Sequence, residues 1–110
     1  MTESVAISGG CLCGAVIIEA TAVQREIAVC HCGLCRQWAG GPFMAIECHE
    51  PLDLRGRAAV TTFASSAWAH RAFCNRCGSK LYFRMNDGSF LALAAGLFQL
   101  SPEWALADEL

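Results

Sequence analysis

The stretch Cys74-Asn75-Arg76-Cys77-Gly78 decides the fold of this chain, together with its distant partner Cys11-Leu12-Cys13. Side chains two positions apart on an extended strand point to the same face, and a Cys-x-x-Cys turn closes around a metal ion. Four thiolates complete the tetrahedral shell of a structural zinc ion. Gly78 lacks a Cβ atom, so backbone N–H groups can turn toward the sulfurs. The two segments therefore predict a closed zinc site that braces the domain.

A third cysteine cluster lies between these segments, in the stretch Cys30-His31-Cys32-Gly33-Leu34-Cys35. It is too tight a segment to reach the other sulfurs, which already form a complete set. Zinc with three protein ligands and one open position is typical of catalytic sites, because water or substrate takes the fourth place. The ligands predicted for this second zinc ion are Cys30, Cys32 and Cys35.

An alternative is that the second site is also structural and is completed by a fourth side chain. The candidates are Cys48, His31, His49 and His70. On an extended strand His31 would face away from the neighbouring sulfurs, because successive side chains alternate between faces. Cys48 stands in an apolar segment, which is typical of a buried core cysteine. The spacing leaves both alternatives open.

The composition bounds the kind of protein. A chain of 110 residues with 55% apolar and 16% charged residues is expected to form one globular domain, residues 1–110. The amino terminus carries neither a basic leader nor an apolar run, which favours a reducing, cytoplasmic location over a disulfide-bonded secreted scaffold. The apolar stretch from Phe90 to Phe98 is far shorter than the roughly 20 residues that cross a bilayer. No membrane association is expected.

The net charge argues against one further class of function. The formal charge is −2, and metal-bound thiolates make it more negative. Binding to a phosphate backbone needs an excess of Lys and Arg that releases counterions, so a nucleic-acid partner is not expected. Nothing in the sequence selects an oligomeric state.

Short apolar and β-branched runs predict a mainly β domain. Any helix that begins near Leu34 is expected to end within one or two turns, because Gly40-Gly41-Pro42 interrupts it. Two hairpins are predicted at turns that contain glycine, since Asp-Gly is a strong hairpin signal and glycine accepts a positive φ. They join residues 80–85 to 90–94 through Asn86-Asp87-Gly88, and residues 52–54 to 59–63 through Arg55-Gly56-Arg57. Further strands are predicted at residues 15–20, 27–29 and 43–48.

Basic side chains lie next to several cysteines, and their ordinary role is to offset the negative charge of the thiolates. Arg36 follows the predicted open site by one residue, and a guanidinium binds a carboxylate bidentately. Arg36 is therefore also a candidate contact for an anionic substrate. Trp38 and Phe43 flank the Gly-Gly-Pro turn, where they either wall a pocket or pack in the core.

Three stretches carry a resemblance to a known family: Gly10-Cys11-Leu12-Cys13-Gly14, residues 30–43 and residues 65–81. Together they resemble the glutathione-dependent formaldehyde-activating (GFA) family, which includes the centromere protein V (CENP-V) type of domain. The resemblance runs from about Gly9 to Leu97 and includes the seven clustered cysteines in order. It implies a β-tent fold of the Mss4-like kind. It also implies a structural zinc ion at Cys11, Cys13, Cys74 and Cys77, and a second zinc ion at Cys30, Cys32 and Cys35.

The resemblance further implies a carbon–sulfur lyase whose named activity joins formaldehyde reversibly to glutathione, giving S-hydroxymethylglutathione. A metal ion can bring the pKa of a substrate thiol into the working range, and three thiolates on zinc favour soft, sulfur-containing substrates. Arg36 and Arg71 are the predicted contacts for the anionic ends of glutathione or a similar thiol, and Trp38 is predicted to line the pocket. The three-ligand site is expected to lose its metal more easily than the four-ligand site. The alternative function is a non-catalytic zinc-binding scaffold or protein-interaction module.

Overall fold

Two β-sheets form the domain in the computed structural model, which describes residues 4–109, with side chains through residue 104. The smaller sheet has the strand order β1-β2-β5, and the larger has the order β10-β3-β4-β9-β8-β7-β6. Neighbouring strands are antiparallel except β10 and β3, which are parallel. The strands are β1 Val5–Gly10, β2 Ile17–Ala22, β3 Glu26–Cys30, β4 Phe43–Glu47, β5 Asp53–Arg55, β6 Val60–Phe63, β7 Ala69–Cys74, β8 Lys80–Met85, β9 Leu91–Ala94 and β10 Ala105–Glu109. The predicted mainly β fold of short antiparallel strands is confirmed.

The core lies between the two sheets. Strand β2 alternates exposed and buried residues, as expected for a strand with one face against the core. The largest fully buried side chains come from both sheets and are Ile18, Ile46, Leu81, Leu91, Leu93, Val16 and Cys74. Cys48 is buried and donates its S–H to the carbonyl of Ile46 at 3.5 Å, in agreement with its predicted place in the core.

One short helix, α1, spans Gly33–Ala39 and carries part of the central cysteine cluster. Its N-cap is Cys32, whose Sγ accepts a hydrogen bond from the backbone N–H of Cys35. The helix ends at Gly40, which has a φ of 79° and donates its N–H to the carbonyl of Arg36. This glycine cap explains why the helix has only the predicted two turns.

The hairpin predicted at Asn86-Asp87-Gly88 is confirmed. Strands β8 and β9 pair antiparallel with Tyr82 opposite Leu93, and Gly88 has a φ of 79°. The N–H of Met85 donates to the carbonyl of Phe90 at 2.9 Å, which closes the hairpin.

The hairpin predicted at Arg55-Gly56-Arg57 is wrong. Strand β5 pairs with β2, whereas β6 pairs with β7, so the chain crosses from one sheet to the other at this point. Gly56 does have the predicted positive φ, 87°, but a short 3-10 helix, Arg57–Ala59, follows it directly. A Cβ atom at position 56 would lie 1.9 Å from the carbonyl oxygen of Ala15, so the glycine allows close approach of two backbones rather than a hairpin.

No helix among residues 4–109 has both the length and the apolar composition needed to span a bilayer. The other helical segment is a short 3-10 turn, Ala95–Leu97, after β9. This turn packs against β1, where a Cβ atom on Gly9 would lie 2.1 Å from the carbonyl oxygen of Leu97.

Candidate metal centres and cavity

The fold brings the sulfurs of Cys11, Cys13, Cys74 and Cys77 together, all within 4.8 Å of one another. The Sγ of Cys13 lies 3.6 Å from that of Cys11 and 3.7 Å from that of Cys74. Sulfurs bound to one zinc ion at about 2.3 Å in a tetrahedron are about 3.8 Å apart, whereas a disulfide needs about 2.05 Å. The donor set and its spacing therefore fit a tetrahedral zinc ion.

Backbone and hydroxyl groups bond to the sulfurs of this quartet. The N–H groups of Val16 and Arg76 donate to the sulfurs of Cys11 and Cys74 at 3.3 and 3.4 Å. Such N–H···S bonds offset the negative charge of thiolates and fix the direction of their lone pairs. Gly78 has a φ of 80°, which turns the chain after the second pair as expected for glycine.

Ser79 links the two halves of the quartet. Its Oγ lies 3.1 Å from the Sγ of Cys77 and accepts a hydrogen bond from the N–H of Leu12 at 3.0 Å. Hydrogen bonds from the side chain and backbone of Ser79 lower the pKa of the Cys77 thiol to about 5. A thiolate is the form that binds a metal, so this contact prepares Cys77 as a ligand.

The fold also brings together the sulfurs of Cys30, Cys32 and Cys35, which lie within 4.8 Å of one another. All eight cysteines of the chain are unpaired thiols. A hydrogen bond from the backbone N–H of Cys35 lowers the pKa of Cys32 to about 7. Burial raises the pKa of Cys35 to about 12, and a hydrogen bond from Arg71 acts in the opposite direction. Three soft sulfur donors on one centre suit zinc.

No fourth ligand completes this trio among the residues that the structure describes. The group of possible metal ligands contains none of the predicted candidates, which were Cys48, His31, His49 and His70. His49 bonds through Nε2 to the Oγ of Ser4 at 3.1 Å, and His70 bonds through Nδ1 to the Oδ1 of Asn86 at 2.8 Å. Cys48 is the buried core residue described above.

Arg71 is a buried cation beside the trio. Its Nη1 donates to the Sγ of Cys35 at 3.6 Å, and its guanidinium lies 5.0 Å from the ring centre of Trp38 and 4.9 Å from that of Phe83. Its exposed fraction is 5%, and within the described residues no carboxylate pairs with it. Since a buried charge needs a partner, negative charge on the sulfurs is the available compensation.

A cavity of about 420 Å³ opens beside the three sulfurs. Its walls are the large sheet and aromatic side chains, with one basic residue and two acidic ones in the lining. The lining includes Cys30, Cys32, Cys35, Arg71, Phe83 and Phe90, together with Gln24, Glu26 and Glu47. A mostly apolar cavity with a few convergent polar groups is typical of a small-molecule site.

Of the three predicted substrate contacts, only one lines the cavity. Arg71 lines the cavity, whereas Arg36 is exposed and lines a separate shallow depression with Gly33 and Gln37. Trp38 is not among the lining residues; it stands behind Arg71 and packs its ring 5.0 Å from that of Phe43, which does line the cavity.

Sequence reasoning did not find several residues of these sites, among them Ser79, Phe83, Glu26 and Glu47. Glu26 had a usable signal, because it lies four positions before Cys30 on β3 and so shares its face. Ser79 and Phe83 reach their partners only through the pairing of distant segments.

The fold and cysteine geometry define a mainly β protein built around two candidate metal centres. The family model for the glutathione-dependent formaldehyde-activating enzyme (GFA) matches residues 6–109. The chain belongs to this family, and the predicted membership is confirmed.

Two individual proteins are similar to this chain. An uncharacterized lyase of Schizosaccharomyces pombe is 39% identical over 80 residues, which are 73% of this chain and 58% of that protein. This chain therefore matches little more than half the length of that relative. The crystal structure of a Rhodobacter sphaeroides protein has a TM-score of 0.73 over 92% of this chain and 100% of that one, at 21% identity. This second likeness shows the shared fold.

Proposed function

We propose that this chain is a zinc-dependent carbon–sulfur lyase that joins an aldehyde reversibly to a thiol. The observation that carries the proposal is the set of three sulfurs, Cys30, Cys32 and Cys35, which lines the cavity and has no fourth ligand within the described residues. The family description names glutathione and formaldehyde, so this pair is the first substrate pair to test. The lyase name of the Schizosaccharomyces pombe relative supports the same class of reaction.

Two sets of residues would hold zinc. The quartet of Cys11, Cys13, Cys74 and Cys77 would hold a structural ion, and the trio would hold the reactive one. Bound at the trio, zinc would supply a Lewis acid that lowers the pKa of a substrate thiol or polarises an aldehyde oxygen.

The reaction needs no oxidant or reductant. The thiol sulfur forms a new C–S bond to the carbonyl carbon, the C–O π bond breaks, and the proton from sulfur ends on the oxygen. The reverse reaction restores the thiol and the aldehyde.

The chain's own residues contribute placement and electrostatics. The apolar walls exclude water from the reacting atoms, and the rings of Phe43 and Phe83 bound the space beside the sulfurs. Arg71 holds positive charge at Cys35, which limits the surplus negative charge of three thiolates. A negatively charged group that develops near Cys35 would be stabilised by the same guanidinium.

The test measures exchange between formaldehyde and S-hydroxymethylglutathione by magnetisation-exchange NMR, because adduct formation also occurs without a catalyst. The zinc-loaded protein should accelerate exchange, and Cys32→Ser should abolish the acceleration. Cys48→Ser is the matched control, since this cysteine lies outside both sulfur groups. A protein that holds zinc at both sites yet leaves exchange unchanged for every thiol would favour the scaffold function instead.

We also propose a reducing compartment such as the cytoplasm as the place of action. Eight unpaired cysteines, seven of them in metal-type clusters, support this location because an oxidising compartment would compete for the thiols.

A further inference from the structure

We infer that the thiol accepted by this cavity carries a cationic group, such as an ammonium, at the end remote from its sulfur. The inference rests on the proposed function and concerns the same cavity. It predicts a substrate preference that differs from glutathione, whose net charge is negative.

The geometry comes from the register of β3 and β4. Cys30 lies opposite Phe43, and Ala28 lies opposite Ala45. One further step of the same register brings Glu26 opposite Glu47, on the face that carries Cys30. All six of these residues line the cavity. Four residues of extended strand span roughly 13 Å, so one end of the cavity has sulfurs and the other has two carboxylates.

Small side chains form the floor between these ends. Ala28, Ala45 and Ala92 contribute little more than a methyl group each, which leaves a path along the sheet for an extended apolar chain. Phe83 and Phe90 stand beside this path with their ring centres 6.2 Å apart. The cavity therefore suits a ligand with an apolar middle section.

The charges are distributed unevenly along the cavity. Glu26 and Glu47 are both exposed, and within the described residues neither forms an ion pair with Lys or Arg. Glu26 accepts a hydrogen bond from Nε2 of Gln24. Arg71 is the one basic residue of the lining, and it is held at the other end by Cys35 and by the ring of Phe83.

A ligand with carboxylates at its remote end would meet Glu26 and Glu47, so like charges would oppose binding. An ammonium there would be attracted by both carboxylates. The sulfur end would meet the cysteine trio in either case. Charge at the remote end is therefore what the cavity discriminates.

The experiment compares three thiols that differ only at the remote end: aminohexanethiol, mercaptohexanol and mercaptohexanoic acid. Binding to the zinc-loaded protein is measured by calorimetry, and formaldehyde exchange is measured on the same samples. We expect the ammonium thiol to bind about fivefold more tightly than the hydroxyl thiol, as one partly exposed charge pair allows, and the carboxylate thiol to bind most weakly.

The double variant Glu26→Gln, Glu47→Gln should bind the ammonium thiol no more tightly than the hydroxyl thiol. Both side chains are exposed, so the fold should tolerate the change. Glu19→Gln, an exposed residue of β2 outside the lining, is the control and should keep the preference.

The two readouts separate the two proposals. Equal binding of all three thiols, tighter binding of the carboxylate thiol, or a preference that survives in the double variant would overturn the charge inference. The exchange rate decides the proposed function, since binding in the expected order without accelerated exchange would support the inference and contradict catalysis.

Discussion

Arg71 donates a hydrogen bond from Nη1 to the Sγ of Cys35 at 3.6 Å, although these residues stand 36 positions apart in sequence. The contact joins β7 to α1, the helix that carries Cys35 of the trio. It places a buried guanidinium against a buried sulfur, and the rings of Trp38 and Phe83 cover the guanidinium. The buried guanidinium of Arg71 is therefore placed to offset negative charge on the sulfurs of the trio.

Replacing Arg71 should lower the zinc affinity of the trio more than it lowers the stability of the fold. Arg71→Met is expected to lower zinc affinity at the trio at least tenfold, because the thiolates lose a buried cation. Arg71→Lys should recover part of the affinity, since it keeps the charge without the planar fork. Competition with a chromogenic chelator measures the loss.

Arg36→Ala is the control and should change neither zinc affinity nor KM, because Arg36 lies outside the cavity. An effect of Arg36→Ala on KM would restore it as a substrate contact.

Gly9 should tolerate no side chain. In Gly9→Ala the new Cβ atom would lie 2.1 Å from the carbonyl oxygen of Leu97 and 2.7 Å from the ring of Phe98. We expect a loss of about 2–3 kcal/mol in the free energy of unfolding, since backbone must move to relieve the clash. Denaturant titration measures this loss. Gly96→Ala is the matched control, because nothing lies within 4 Å of its Cβ position, and it should change stability by less than about 0.5 kcal/mol.

Ser79 should affect zinc binding at the quartet and not at the trio. Ser79→Ala removes the hydroxyl that contacts Cys77 and accepts from the N–H of Leu12. We expect about 1 kcal/mol of destabilisation and faster loss of the quartet's zinc to a chelator. Ser8→Ala, at an exposed position of β1, should leave both quantities unchanged. Faster loss of metal from the trio instead would contradict the assignment of Ser79.

The Glu50–Arg84 ion pair should stabilise the fold at neutral pH and should lose this effect in acid. Arg84 bonds to both carboxylate oxygens of Glu50, at 2.8 and 2.6 Å, and these hydrogen bonds lower the pKa of Glu50 below its ordinary value of 4.5. The contribution is therefore present above the unfolded pKa and is lost as pH falls through the folded one. Because the pair is partly exposed, Glu50→Gln should cost about 0.5–1 kcal/mol at pH 7.

The measurement is the stability difference between wild type and Glu50→Gln as a function of pH and salt. The difference should vanish as pH falls below the folded pKa of Glu50 and should shrink at high salt. A difference that is constant from neutral to acidic pH would show that packing, not charge, accounts for the effect.

Local signals in the sequence predicted much of this structure. The cysteine spacing separated the sulfurs into the two groups that the fold brings together, and Gly88 and Gly40 correctly marked a hairpin and a helix end. These features depend on residues close to one another in the chain.

Features that depend on distant pairing were not predicted. Gly56 signals a turn, but the glycine allows a close approach to the carbonyl of Ala15, and the strand that follows pairs with β7 in the other sheet. Strands β1, β7 and β10 lacked a clear pattern, and β10 pairs with β3 across most of the chain. Arg71 reaches the trio only because β7 lies in the same sheet as β3 and β4. Sequence neighbourhood pointed to Arg36 instead, which the fold turns to the outside.

The division of the sulfurs into a bracing quartet and an open trio is tested most directly by the zinc content of three proteins. Wild type should bind two zinc ions per chain, one at each sulfur group. Cys32→Ser should keep its β-sheet circular dichroism and one zinc ion, whereas Cys74→Ser should lose the fold, because its sulfur is buried in the closed site. Loss of the fold in Cys32→Ser, or a stably folded Cys74→Ser protein, would contradict the account.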